Sequence, residues 1–302
     1  MLNTAGYKNN GLHVFVFCCA DYKDIVKDCI SSIEQYVLDP IASYNIVSNT
    51  EINIHGYNLV KDRDFWSLIN PDLKYQNLYN HNWIKQQIFK LNLDRIVSGN
   101  ILIVDAEVRF QKPTRWLHDD RYTVFYTNRW KKFDINSTNY DSTEFVRQTL
   151  NLEVDSTKNF IVEATVFSTD ILKEMRTQIE NIHGVDQLAA YQQIVFDDPT
   201  SLHPSLKLFM SEYDMYINYL ITMHPEKVND LINLATDKSF LSFRQTTTSN
   251  SINNQTKWIT FYEQIKDSSW PDCYCEEDFY KLPEHIQEEC INIFGYNPTI
   301  NE

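Results

Sequence analysis

"LHVFVFCCADYKDIVKDCISSIEQYVLDPIASYNIVSNT", residues 12–50, decides the fold class. It opens on "LHVFVFCCA", an apolar run too short to span a bilayer and without a signal-peptide cleavage pattern, which reads as a buried strand. Ile25, Val26, Cys29, Ile30, Ile33 and Val37 then recur at helical spacing. "SYNIVSNTEIN" follows as a second strand, ending on Ser48, Asn49 and Thr50. Strand, helix, strand is the start of an open α/β sheet, where ligands bind beyond the carboxyl ends of the strands. Asp21 and Asn49 stand at two such ends, as candidate ligand-binding residues.

The same logic singles out "ILIVDAEVRF", residues 101–110. Four apolar residues run into Asp105, with Glu107 two positions on and so on the same side of an extended chain. Such a pair suits Mn²⁺ or Mg²⁺ carrying a diphosphate, because hard cations take carboxylate and phosphate oxygens together. A metal there would neutralise the charge that develops on a departing diphosphate.

Composition removes several classes. With six glycines there is no GxGxxG and no GxxxxGK[ST], so the chain is neither a P-loop enzyme nor a standard dinucleotide binder. A net charge of −14 gives no general attraction to nucleic acid or anionic membrane, although "RWKK", residues 129–132, is a local basic candidate. Without an export signal, the six cysteines are expected as reduced thiols in a cytoplasm, with no disulfide partner. Abundant Asn, Ile, Lys and Tyr is the composition of an AT-rich genome, such as a bacteriophage's.

Residues 61–94 read as mostly helical, and "NWIKQQIFKLNL" places Trp83, Gln87 and Lys90 close to one face. "YTVFYTNRW" and "FIVEATVFS" are strand-like; the second carries Glu163 in an apolar run and leads into a helix capped by Thr169 or Asp170. "FMSEYDMYINYLITMHP", residues 209–225, reads as a helix capped by Ser211 and stopped by Pro225. The expected organisation is a domain over residues 1–244, a polar linker over 245–257 and a small helical appendage over 258–302.

Four segments in order carry a resemblance: Trp83, Gln86, Gln87, Lys90 and Leu91; Asp105 and Glu107; Val162 and Glu163; then Ser211, Glu212, Tyr213, Asp214 and Tyr216. They resemble a poorly characterised bacterial glycosyltransferase-like family of the GT-A class, with Glu107 and Asp214 in place of an Asp and a Glu. The resemblance spans about residues 13–225 and implies an open mixed sheet flanked by helices. It also implies a nucleotide-diphosphate sugar donor, expected to be a UDP-sugar, and Mn²⁺ or Mg²⁺. Asp105 would contact the ribose or metal-bound water, Glu107 would ligate the metal, and Gln87 and Lys90 would lie near the donor. Glu212, ahead of Asp214 and Glu163, would take the proton of an acceptor hydroxyl on a glycan, lipid-linked sugar, protein or hydroxylated DNA base. His224 is a further candidate metal ligand. Transfer would be of the inverting type. The competing readings are a catalytically inactive nucleotide-sugar-binding or protein-interaction module, and a Mg²⁺-dependent phosphohydrolase, for which no nucleophile motif or second acidic cluster is present.

Overall fold

The computed structural model describes residues 11–18, 23–52, 54–72, 74–106, 108–110, 113–128, 142–161, 164–196, 207–233 and 242–244. Contacts divide the chain into two units, Met1–Phe243 and Arg244–Glu302, and the first is the one described below. The linker and appendage expected over 245–302, and "RWKK", lie outside the described residues.

The opening stretch folds as β1 (Leu12–Cys18), α1 (Lys23–Tyr36) and β2 (Ile41–Ser48). After β3 (Asn58–Lys61) come α2 (Asp62–Ile69), α3 (Gln76–Asn80) and α4 (Asn82–Lys90), then β4 (Asn100–Asp105) and the short β5 (Val108–Phe110). The helical stretch expected over 61–94 is thus broken. Pro71 forces the residue before it out of the helical region, and Asn70 ends α2 at φ −135° and ψ 68°.

β6 (Leu117–His118), β7 (Arg121–Asn128), α5 (Ser142–Leu150), β8 (Lys158–Asn159) and β9 (Ala164–Ser168) follow. Three helices come next, α6 (Thr169–His183), α7 (Gln187–Val195) and α8 (Glu212–Met223), and then β10 (Val228–Asn233). The main sheet has the order β3-β2-β1-β4-β9. Its first four strands are parallel and β9 is antiparallel to β4, so the fold is α/β with a mixed sheet and flanking helices. Val14, Phe15 and Val16 of β1 and Ile101–Val104 of β4 are all buried, the unbroken apolar run of strands covered on both faces. β7 belongs instead to a second sheet with β10, β6 and β8.

Ser211 caps α8 as expected, its Oγ accepting from the Asp214 amide at 3.2 Å. The cap of α6 differs from expectation: Ser168 is the N-cap and makes no side-chain cap bond. Thr169 Oγ1 accepts instead from the Gly99 amide at 2.9 Å, which ties the start of α6 to the start of β4. No helix among the described residues is long and apolar enough to cross a membrane.

Candidate active site

In the order β3-β2-β1-β4, the chain builds outward from β1 in one direction and then returns to its other side for β4. The carboxyl ends of β1 and β4 therefore flank a topological switch point, the place where open α/β sheets bind ligands. Asp105 is the last residue of β4 and pairs in register with Phe17 of β1, so it stands at that crevice.

Two other elements meet it there. Lys90, the last residue of α4, points its Nζ at Asp105 Oδ1 at 2.7 Å and at Glu212 Oε1 at 2.6 Å. It also donates to the Tyr213 hydroxyl at 3.1 Å. An ammonium has three N–H donors, and here each has an acceptor. The cation lies over the Tyr213 ring at 4.5 Å and the Phe17 ring at 5.5 Å. The Lys90 and Glu212 side chains are each 2% exposed, whereas Asp105 is 16% exposed. Gln86, one turn before Lys90, donates to Asp105 Oδ1 at 3.4 Å. The Lys90 and Gln86 contacts both fall on Oδ1 of Asp105, and Oδ2 has no partner among the described residues.

The electrostatics follow from this packing. Burial works against the Lys90 cation, but Asp105 and Glu212 outweigh it and hold the ammonium pKa well above its usual value. Burial pushes the Glu212 carboxyl up, Lys90 pulls it partly back, and Asp105 pushes it up again. The Tyr213 phenol is driven well above its usual range, chiefly by burial, so it stays neutral and accepts from Lys90.

Asp105, Lys90 and Glu212 are thus brought together, across 122 residues of sequence between the last two. Their roles need correction, however. Lys90 has no proton left for a donor phosphate and no open surface to offer one. Glu212 is 2% exposed and sealed against Lys90 rather than open to the crevice. Asp214 is fully buried; one oxygen accepts from the Ser142 hydroxyl and the other from the Phe160 amide at 2.8 Å, which fastens the segment before β9 and the start of α5 to α8.

His224 follows the last residue of the 12-residue α8, so it is ~18 Å along the axis from Glu212 and cannot share a metal with Asp105. It lies instead 3.2 Å from Glu174 and 3.7 Å from Glu226. Gln87 is buried, donates to the Trp83 carbonyl at 3.2 Å and leaves Oε1 without a partner; it is Gln86 that reaches Asp105. Asn49 is exposed beyond the end of β2, while Asp21, Glu107 and Glu163 lie outside the described residues.

Sequence reasoning missed Gln86 and Tyr213 as members of this cluster. The signal for Gln86 was present, since Gln86 and Lys90 stand at i and i+4 on one face of α4. No local signal marks Tyr213, which depends on how α8 docks.

Among the described residues no group of three His, Cys, Asp or Glu side chains could hold a metal ion. What the crevice presents is one half-shielded carboxylate. That fits Mg²⁺ or Mn²⁺ arriving on a diphosphate, since such ions keep several waters and take one or two protein carboxylates; it does not fit a dedicated cage. Two cavities, of about 550 and 270 Å³, lie elsewhere, and neither is lined by Asp105, Lys90 or Glu212.

No family model matches the chain, and no curated protein matches it. Among solved structures it is similar to the apo crystal structure of mouse xyloside xylosyltransferase 1, with 9% identity and a TM-score of 0.41, over 73% of this chain and 84% of that one. A likeness at that level says nothing about chemistry.

Proposed function

We propose that the chain is a metal-dependent glycosyltransferase of the GT-A class, moving a sugar from a nucleotide-diphosphate donor to a hydroxyl acceptor. The observation that carries this reading is the placement of Asp105: a strand-end carboxylate at the switch point of a parallel sheet, one oxygen fixed by a buried lysine and the other open. The motif order across residues 83–216 supports it. Asp105 binds the donor, directly or through Mn²⁺ or Mg²⁺, with Glu107 as the second carboxylate. Bound metal supplies charge neutralisation at the leaving diphosphate. Lys90 and Glu212 are positioning residues that fix the height and rotamer of Asp105. The role of base then passes to Glu163, and inversion at the transferred sugar belongs to the same reading.

The occupied state of Glu212 and Asp214 favours a second reading, a nucleotide-sugar-binding module of the same fold without turnover. One experiment separates the two. The full chain is incubated with a panel of nucleotide sugars in Mn²⁺ and in EDTA, with diphosphate release assayed and UDP affinity measured by calorimetry. Mn²⁺-dependent binding with release supports the transferase, and Mn²⁺-dependent binding without release supports the module. Equal UDP affinity in Mn²⁺ and EDTA would sink the metal role of Asp105.

A further inference from the structure

Among the described residues one Trp, Tyr or Phe is exposed, and it stands one helical turn from Gln86 and about two turns from Lys90. Trp83 is 38% exposed, yet it is clamped. Its Nε1 donates to the Met210 carbonyl at 3.1 Å, and its ring stacks on Phe209 with centroids 5.3 Å apart and planes at 28°. The polar handle of the indole is spent on backbone, so what remains exposed is apolar ring carbon. A large aromatic held still at the surface carries little ordering cost when a flat apolar partner lands on it.

Its position relates it to Asp105. Trp83, Gln86 and Lys90 share one stripe of α4, and Gln86 is the side chain that reaches Asp105. The rise from Trp83 to Gln86 is about 5 Å, roughly one sugar ring. The clamp comes from the segment leading into α8, and α8 packs on the β9 side of the sheet: the Tyr216 ring stacks on Phe167 at 3.9 Å and its hydroxyl accepts from the Ser168 amide. Asn49, beyond β2, lies on the opposite side of the β1/β4 crevice. A nucleotide lying over the ends of β1 and β2 therefore leaves the Trp83 side for the other substrate.

We infer that Trp83 is a stacking platform for a neutral sugar ring of the acceptor, an inference that rests on the glycosyltransferase reading above. The C–H face of a pyranose is apolar and faintly positive, and it complements the electron-rich face of an indole. Neutrality follows from charge: the chain carries −14, and Lys90 offsets only one of the two carboxylates beside it.

The test uses the full chain and its Trp83→Ala and Trp83→Phe variants against a panel of neutral methyl glycosides and disaccharides. Saccharide binding is followed by saturation-transfer NMR, with UDP affinity in Mn²⁺ and melting temperature measured beside it. At least one saccharide should bind the wild type, about tenfold more weakly to Trp83→Ala and less than that to Trp83→Phe, with UDP affinity unchanged in both. Absence of saccharide binding by the wild type overturns the inference. So does equal binding by Trp83→Ala, or a loss of UDP affinity in its place. Should Trp83→Ala fail to fold, Trp83→Phe decides: saccharide contacts that persist in the wild type without touching the Trp83 ring protons also overturn it. Failure of the transferase reading registers separately, as a wild type that neither binds UDP nor releases diphosphate.

Discussion

The two ends of α8 hold their carboxylates in opposite ways. At its N-terminus Glu212 meets Lys90 with both side chains 2% exposed, and Tyr213 closes over the cation. At its C-terminus His224 lies near Glu174 and Glu226, whose side chains are 52% and 67% exposed. Both are acid–base contacts from a single helix, but their energetics differ. A buried pair has already lost its water, so removing one partner strands the other; at the C-terminal end the His224 side chain is 18% exposed, but both carboxylates keep their water, so removing the histidine strands neither of them. The buried end fixes geometry, and the exposed end merely tolerates it.

The sharpest way to break this contrast is Lys90→Met. It leaves Asp105 and Glu212 facing each other without a cation, and we expect a loss of about 3–5 kcal/mol in urea unfolding, together with loss of donor binding. A variant with wild-type stability would mean that the triad is wet, and the distinction between the two ends would disappear.

Glu212→Gln probes the same end through pH. The Glu212 carboxyl is raised in the folded chain by burial, with Asp105 adding to the rise. Such a group contributes stability that is fully present below its ordinary 4.5 and is lost as pH rises through the raised value. The amide has no such loss. Relative to wild type, Glu212→Gln should therefore gain in melting temperature as pH is taken from 4.5 toward neutral. A difference between the two that stays flat with pH would show that the Glu212 carboxyl titrates alike in the folded and unfolded chain.

The smallest effect belongs to the exposed end. His224→Gln should change stability by less than ~1 kcal/mol and leave UDP affinity untouched, as read by melting and calorimetry in Mn²⁺. A loss of metal-dependent binding would restore His224 to the site.

These contrasts track what the sequence could disclose. The β1–α1–β2 order and the apolar β4 ending on Asp105 are local patterns, and local patterns survive in one dimension. The Ser211 cap was legible for the same reason, since it is fixed within three residues. The roles of Glu212 and Lys90 were not, because charge alone cannot say whether a carboxylate faces a substrate or a lysine 122 residues away. His224 misled for a geometric reason: closeness to an acidic motif in sequence becomes ~18 Å along a helix. The α7 helix carries no strong apolar stripe, and it emerged only from packing.

The spacing of the three triad residues also orders their assembly. Asp105 follows Lys90 by fifteen residues (105 − 90), whereas Glu212 follows it by 122. Closing the short loop costs less chain entropy, so on an emerging or refolding chain Lys90 meets Asp105 well before α8 arrives. Until then the lysine has one carboxylate and an open flank. The docking of α8 supplies the second carboxylate, the phenol and the seal in one step, so the N-terminal sheet remains electrostatically unfinished until the chain has been made to about residue 220.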